Sequence, residues 1–318
     1  MNPACLFAVL LLLAPAALLA QDDYITPGEN LVVEGIPKVP ATLAEQAGRY
    51  TEYRSATLYD WHPRKRELVI GTRFAEATQA HRVAFPGGAR TQLTFFAEPV
   101  PYASFQPTIG GYMVFMKDVG GNEFFQLHRY DPATGAMTLL TDGKSRNLPG
   151  AWSNAGDRMA YSSTRRNGRD TDIYVINPAE PKTDRALAQL EGGGWSAVDW
   201  SPDDRTILLM EYISINESYL WLLDAASGAK APLTPRGGRE QVAYDNARFS
   251  RDGKGVYVTT DRGSEFLRLA YLDLATKRHT FLTDHIKWDV EAFDLTRDGR
   301  MIAFITNEDG ISVLRLLD

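Results

Sequence analysis

Residues 247–284 read ARFSRDGKGVYVTTDRGSEFLRLAYLDLATKRHTFLTD, and this stretch decides the fold. Short runs of β-branched and aromatic residues alternate there with turns such as Asp252-Gly253 and Gly263-Ser264. Glycine and aspartate tolerate the positive φ of tight hairpin turns, so each turn predicts a hairpin between the two runs beside it. The segment therefore predicts four consecutive short strands.

The same pattern recurs along the chain with a regular period. Its first run ends in an aromatic or apolar anchor before a polar turn, and these anchors are Trp61, Phe105, Trp152, Trp200, Phe249 and Leu295. Neighbouring anchors are 44 to 49 residues apart. Several repeats also end alike, at Leu93-Thr94, Leu140-Thr141, Leu233-Thr234 and Leu282-Thr283. A period in the forties with alternating polarity predicts propeller blades, because helical repeats of that length need amphipathic helices instead.

The predicted fold class is all-β, a β-propeller of four-stranded blades over residues 57–318, with five complete blades and a partial sixth. The sixth repeat reaches only its third run, at Leu317-Asp318. A propeller removes exposed strand edges by closing its ring. Two explanations follow: residues 24–56 supply the missing strand, with residues 31–34 as the candidate donor, or the sequence is a fragment of a longer protein. We favour the fragment.

The amino-terminal residues predict export. Residues 6–19 form an uncharged apolar run, which is followed by Ala20 and the polar Gln21, so residues 1–20 are interpreted as a signal peptide. The run is shorter than the roughly 20 residues of a spanning helix. We expect a periplasmic or extracellular protein with no membrane span after signal cleavage. Residues 21–56 are predicted to be a lead-in strap or short helix, with Leu43, Ala47 and Tyr50 at helical spacing.

Composition argues against several functional classes. The formal net charge is -6 and the basic residues are scattered, so nucleic-acid binding is not expected. The single cysteine, Cys5, lies in the predicted signal peptide, which leaves no thiol chemistry for the mature chain. The five histidines lack metal-ligand spacing and no phosphate-binding glycine motif occurs. We therefore predict no metal and no cofactor.

Three longer strings carry a resemblance to a known family. They are FMKDVGGNEF at 115–124, STRRNGRDTD at 163–172 and EYISINESYLW at 211–221. The blades resemble TolB-type repeats, and these strings resemble bacterial prolyl oligopeptidase-family serine peptidases of the dipeptidyl aminopeptidase or acylaminoacyl peptidase type. The resemblance implies an amino-terminal propeller that covers a carboxy-terminal α/β-hydrolase domain with Ser, Asp and His, and it implies peptide substrates.

The sequence departs from that family because the hydrolase half is missing. An α/β-hydrolase nucleophile lies in Gly-x-Ser-x-Gly. The nearest strings begin at Gly143, Gly194 and Gly310, and each lacks the final glycine. We therefore predict no catalytic residue in this chain, and we expect any peptide turnover to come from the absent domain.

Three acidic residues are the candidate substrate-binding residues. Glu123, Glu217 and Glu265 follow Asn122, Asn216 and Ser264 at the turn between the second and third strands, and Asp170 or Asp172 takes that place in the third blade. Equivalent turns lie on one face, so these acids can form a partial negative ring. The resemblance implies that such acids hold the free amino terminus of a peptide, since carboxylates suit an ammonium group. The alternative interpretation is that they are solvated turn residues.

Three functions remain open from the sequence. The first is a non-catalytic propeller that gates and selects substrate for a secreted serine peptidase. The second is a stand-alone exported TolB-like scaffold for protein–protein contacts. The third is a propeller enzyme with a site at its central channel, such as a lactonase or glycosidase, which needs convergent carboxylates or metal ligands.

Overall fold

The computed structural model describes residues 23–237 and 241–318. The chain divides into two compact units, Met1–Arg54 and Ser55–Asp318. The predicted signal peptide lies outside the described residues and stays a prediction. In the first unit, Tyr24 forms an isolated bridge with Pro40, and helix α1 spans Ala41–Thr51.

Helix α1 lies within the segment that the spacing of Leu43, Ala47 and Tyr50 marked as a short helix. It begins after Pro40, whose extended φ of -60° and ψ of 138° suit a residue that precedes a helix. Leu43 and Tyr50 are nonetheless exposed, at 55% and 83%. The role of this segment as a lead-in strap therefore stays a prediction.

The second unit consists of six antiparallel sheets arranged as the blades of a β-propeller. Blades 1 and 2 contain β1 Ala56–Trp61, β2 Leu68–Thr72, β3 Gln79–Val83, β4 Arg90–Gln92, β5 Tyr102–Phe105, β6 Met113–Lys117, β7 Gln126–Tyr130 and β8 Met137–Leu139. Blades 3 and 4 contain β9 Asn147–Trp152, β10 Met159–Ser163, β11 Asp172–Asn177, β12 Glu180–Ala188, β13 Trp195–Trp200, β14 Thr206–Ser214, β15 Glu217–Asp224 and β16 Lys230–Pro232. Blades 5 and 6 contain β17 Tyr244–Phe249, β18 Gly255–Thr260, β19 Arg268–Asp273, β20 His279–Phe281, β21 Val290–Leu295, β22 Ile302–Glu308 and β23 Ile311–Leu317.

Each blade is a simple meander, because strands that follow one another in sequence also pair with one another. Five sheets have four strands and the sixth has three, β21 to β23. The predicted donor, residues 31–34, forms no strand in the structure.

Local turn chemistry explains why these residues fold into hairpins. After the third strand of blade 4, Asp224 accepts a hydrogen bond of 2.7 Å from the backbone N–H of Ser227, and Gly228 takes a φ of +73°. Asp273 repeats this turn in blade 5, with a 2.7 Å bond from the N–H of Thr276. These bonds lower the pKa of both aspartates, since they favour the charged carboxylate.

The recurrent Leu-Thr pair that ends four repeats has a specific structural role. In each case the threonine hydroxyl accepts the backbone N–H of a third-strand residue, at 2.9 to 3.1 Å. The four donor–acceptor pairs are Ala80 with Thr94, Leu127 with Thr141, Leu220 with Thr234, and Leu269 with Thr283. Because all eight residues are buried, these bonds satisfy amides that water cannot reach.

The core lies between neighbouring blades. The first strands contact each other in three neighbouring pairs, β1 with β5, β9 with β13, and β13 with β17. Trp200 of β13 is buried against blade 3, and its indole N–H donates a hydrogen bond of 2.9 Å to the carbonyl of Ala151. Blades 6 and 1 are also in contact, because the Arg297 guanidinium donates a hydrogen bond of 3.4 Å to the carbonyl of Pro63. Contacts of this kind join the six sheets around one central axis.

Candidate functional site

The propeller has two faces with different connections. Because each blade is an antiparallel meander, the turns between second and third strands lie on the same side as the links between blades. We call this side the upper face. The lower face carries the turns between first and second strands and those between third and fourth strands.

Glu123 lies on the upper face, in the turn between β6 and β7. It adopts a φ of +60°, and its backbone N–H donates a hydrogen bond of 2.8 Å to the carboxylate of Asp118. Its own carboxylate is 71% exposed and approaches the Arg146 guanidinium at 3.7 Å. Glu123 is thus an accessible acid whose carboxylate lies near an arginine.

Glu217 and Glu265 occupy the equivalent turns of blades 4 and 5. Glu217 is half-buried; it accepts hydrogen bonds from the Tyr219 hydroxyl and, at 3.2 Å, from the Gln241 side chain. The bond to Glu217 raises the pKa of Tyr219 above its usual range. Glu265 is exposed. The three predicted acids therefore share the upper face but differ in accessibility, and their contact with a peptide stays a prediction.

The third blade uses its acids for internal structure. Asp172 is fully buried and accepts hydrogen bonds from Arg166 and from the Leu190 backbone, both at 2.8 Å. Asp170 accepts the Gly192 N–H at 3.1 Å. Hydrogen bonds from the side chains of Asn167 and Arg169 hold the pKa of Asp170 well below its usual range. These two carboxylates fix the link between blades 3 and 4, so blade 3 contributes little free negative charge to the ring.

A cavity of about 650 Å³ opens on the upper face between blades 2, 3 and 4. Glu123 and Phe124 come from blade 2, Arg146 and Arg169 from blade 3, and Trp195 from blade 4. Of the three predicted acids, only Glu123 lines this cavity. Sequence reasoning missed the two arginines, because their proximity to Glu123 depends on how neighbouring blades pack.

A second cavity, of about 550 Å³, opens on the lower face. Residues of five blades line it, including Thr108, Trp152, Trp200, Arg251 and Arg297. Since the turns of five blades converge on it, this cavity is the lower mouth of the central channel. Arg251 and Arg297 place positive charge at that mouth.

Half-buried aspartates on the first strands connect neighbouring blades near the channel. The Asp60 carboxylate accepts a hydrogen bond of 2.8 Å from the backbone N–H of Phe105 in blade 2. The Asp199 carboxylate accepts one of 2.7 Å from the backbone N–H of Phe249 in blade 5. Burial raises the pKa of both carboxyls above the usual range. Their sequence signal is an aspartate directly before the anchor residue, at Asp60-Trp61 and Asp199-Trp200. The bonds show that these two aspartates hold blades together.

The five histidines and the three candidate nucleophile serines all lie in residues 23–237 and 241–318. No group of three His, Cys, Asp or Glu side chains is placed there to hold a metal ion. The serines of the three incomplete nucleophile motifs belong to blade structure: Ser145 donates to Asp142 at 2.6 Å, Ser196 lies in β13 and Ser312 lies in β23. The same part of the chain has no helix that is both long and apolar enough for a bilayer.

Exposed apolar side chains are a further property of the upper face. They lie in its turns, links and strand ends, and they include Phe74, Phe95, Val119, Phe124, Tyr212, Ile213, Ile215 and Trp288. Phe95 is 75% exposed and Ile215 is 80% exposed. Tyr212, Ile213 and Ile215 are close together in sequence, and a cluster of exposed apolar side chains is typical of a contact surface. The turns and strand ends of the lower face also expose apolar side chains, namely Trp61, Phe85, Ile109, Met137, Met301 and Leu316.

The fold places the chain among β-propellers. No protein-family model and no curated protein sequence matches it. Among solved structures it is similar to TolB from Acinetobacter baumannii, with TM-score 0.54, 16% identity, and coverage of 88% of this chain and 68% of that one.

Two solved enzymes are similar over their propeller regions. One comes from a study of two prolyl endopeptidases, with TM-score 0.64, 14% identity, and coverage of 82% of this chain and 41% of that one. The other is a puromycin hydrolase, with TM-score 0.63, 17% identity, and coverage of 84% and 45%. The chain thus spans less than half the length of either enzyme. At these identities the similarity shows the fold.

Proposed function

We propose that this chain is the gating and substrate-selecting propeller of an exported serine peptidase, and that catalysis belongs to a separate α/β-hydrolase domain. The observation that carries the proposal is the upper face, which combines exposed apolar side chains with accessible carboxylates beside a cavity. Neighbours that include a prolyl endopeptidase and a puromycin hydrolase support it, because in each of them the matched propeller is less than half of the chain.

In this proposal the hydrolase domain docks on the upper face. The first strand of the propeller, β1, begins on that side. Tyr212 and Ile213, at the end of β14, and Ile215, in the turn to β15, give this hairpin three exposed apolar side chains. Covering such a hairpin removes apolar surface from water, which contributes roughly 25 cal/mol per Å².

Sequencing of the genomic DNA beyond codon 318 tests the proposal directly. We expect the reading frame to continue into a Gly-x-Ser-x-Gly motif with Asp and His downstream. We also expect no labelling of the 318-residue chain by a fluorophosphonate serine probe, since acyl transfer needs a nucleophile held beside a base. A stop codon after 318, or probe labelling with peptide turnover, would overturn the proposal.

Docking is tested in the longer parent protein. Replacing Tyr212 and Ile215 by serine is expected to lower peptide turnover and to loosen the two domains, as detected by limited proteolysis. Ile109→Ser is the matched control, because Ile109 is 59% exposed on the lower face. Equal effects of the upper-face and lower-face substitutions would count against docking on the upper face.

The predicted acid ring has its own test. In the parent protein, three substitutions are expected to lower kcat/KM for peptides with a free amino terminus: Glu123→Gln, Glu217→Gln and Glu265→Gln. The kcat/KM for peptides whose amino terminus is acylated is expected to stay unchanged. The reason is that a carboxylate stabilises an ammonium group through charge-assisted hydrogen bonds. Unchanged turnover of both peptide types would assign all three residues to turn structure.

Export completes the proposal. Mass spectrometry of periplasmic or secreted protein should find an amino terminus near Gln21. Soluble protein that retains Met1 would contradict signal cleavage.

A stand-alone TolB-like scaffold is the second candidate, because the alignment with TolB covers 88% of this chain and 68% of the TolB chain. It predicts a stop codon after residue 318, an additional strand on β23 and a monomer that unfolds cooperatively. The same DNA sequence and a thermal melt therefore discriminate between the two candidates.

A further inference from the structure

The upper-face cavity combines charge, hydroxyl groups and apolar surface in one concave site. Thr171 and Ser196 lie in its lining, and Phe124, whose side chain is exposed, contributes aromatic surface. Its volume of about 650 Å³ lies within the range of small-ligand sites. A site of this size accepts a short peptide segment rather than a folded domain.

The two arginines of the lining carry hydrogen-bond donors that are available to a ligand. A guanidinium has five N–H donors. Among the described residues, the Arg146 guanidinium contacts Glu123 at 3.7 Å, and the Arg169 guanidinium contacts Asp170 at 3.2 Å. Their side chains are 49% and 81% exposed. Each arginine can therefore bind a further acceptor without breaking a buried structural contact.

The acidic neighbours only partly neutralise these arginines. The contact between Glu123 and Arg146 is long and solvent-exposed, and such pairs contribute about 0–1 kcal/mol. Asp170 already accepts hydrogen bonds from Arg166, Asn167 and the Gly192 backbone. Of the charged side chains that line the cavity, two are positive and one is negative. The lining consequently favours an anionic group.

We propose that this cavity binds a peptide through a carboxylate, held by Arg146 and Arg169. Arginine suits a carboxylate because its planar N–H groups match the two carboxylate oxygens. The adjacent Phe124 covers the apolar part of the bound segment. This inference deepens the proposed function by giving the gating propeller a preference for acidic side chains or carboxy termini in its peptide substrates.

Binding of capped peptides to the full chain, measured by isothermal titration calorimetry, tests the inference without any hydrolase domain. Acetyl-Ala-Ala-Glu-Ala-amide presents only a side-chain carboxylate, and acetyl-Ala-Ala-Ala-Ala with a free carboxy terminus presents only a terminal one. Acetyl-Ala-Ala-Gln-Ala-amide presents neither. At least one carboxylate peptide is expected to bind about tenfold more tightly than the glutamine peptide. The stronger of the two identifies the source of the carboxylate.

Substitutions locate the binding site. Arg146→Gln and Arg169→Gln are each expected to weaken binding of the carboxylate peptide about tenfold. Glu123→Gln is expected to strengthen it, because the substitution removes a negative charge and a competitor for Arg146. Arg300→Gln is the matched control, since its side chain is 85% exposed in a lower-face turn. Retained thermal melting midpoints show that each variant folds.

The outcomes separate this inference from the proposed function. Equal affinity for all three peptides, no binding at all, or loss of binding only in Arg300→Gln overturns the carboxylate site. These results leave the DNA test of the hydrolase domain untouched. If the chain binds carboxylate peptides selectively but its reading frame stops at residue 318, the peptidase proposal is overturned. The carboxylate-binding site is then still supported.

Discussion

The hydroxyl of Thr234 offers a direct test of how the Leu-Thr pair stabilises a blade. Thr234 is 2% exposed and its hydroxyl accepts the Leu220 N–H at 3.0 Å, while Leu220 itself is fully buried. Thr234→Val keeps the shape and the β-branch of the side chain but removes the acceptor. The Leu220 amide is then left without a partner, because β16 ends at Pro232, before this position.

The expected destabilisation follows from the cost of a buried unsatisfied donor. Removing one partner of a buried hydrogen bond costs about 1–3 kcal/mol, which exceeds the net gain from forming the bond. A buried methyl group gains favourable transfer energy of about 0.8 kcal/mol, which offsets part of that cost. We therefore expect Thr234→Val to lower the free energy of unfolding by about 1–2 kcal/mol.

Urea unfolding measures this change, with tryptophan fluorescence and far-ultraviolet circular dichroism followed together to check that the transition is two-state. Thr280→Val is the control, because Thr280 lies in the middle of β20 and is exposed. That control is expected to change stability by about 0.5 kcal/mol or less. A wild-type midpoint for Thr234→Val, or an equal loss in both variants, would refute the reasoning.

Two further predictions concern backbone fit and pH. Gly194→Ala should lower the melting temperature more than Gly192→Ala. Both glycines have φ near +80°, but only at Gly194 would a Cβ lie 2.2 Å from the Tyr212 carbonyl oxygen. Equal decreases in melting temperature would show that this close approach does not matter. Burial raises the pKa of Asp199 from 3.8, so ionisation costs the folded state stability as pH rises through that raised pKa. Asp199→Asn should flatten this decline in urea midpoints at pH values above 3.8, and an unchanged slope would contradict it.

Features that depend on local chemistry were predictable from the sequence. The turns at Asp224, Ser250 and Asp273 are made by side chains that bond backbone groups only two to five residues away. Such contacts depend on residue type and spacing alone, so they repeat wherever the pattern repeats. For the same reason the anchor residues indicated a propeller and placed the predicted acids in equivalent turns.

The environment of those acids was not predictable in the same way. Glu123 and Arg146 are separated by 23 residues, and their carboxylate and guanidinium lie 3.7 Å apart because β9 packs beside the turn of blade 2. Equivalent positions also acquire different partners, since Glu217 is held by Tyr219 and Gln241 whereas Glu265 is exposed. Sequence equivalence therefore did not imply equivalent charge or accessibility.

The sequence by itself determined the repeating unit of this protein, because strand alternation and hairpin turns are encoded within a few neighbouring residues. Only the tertiary structure decided which repeats share a cavity and which charges face it. Packing of blades 3 and 4 brings Arg146, Arg169 and Trp195 to one cavity. Packing of blades 4 and 5 places the Asp199 carboxylate where it accepts a hydrogen bond from the Phe249 backbone. Contacts between blades join residues distant in sequence, and their partners are set by the geometry of the ring.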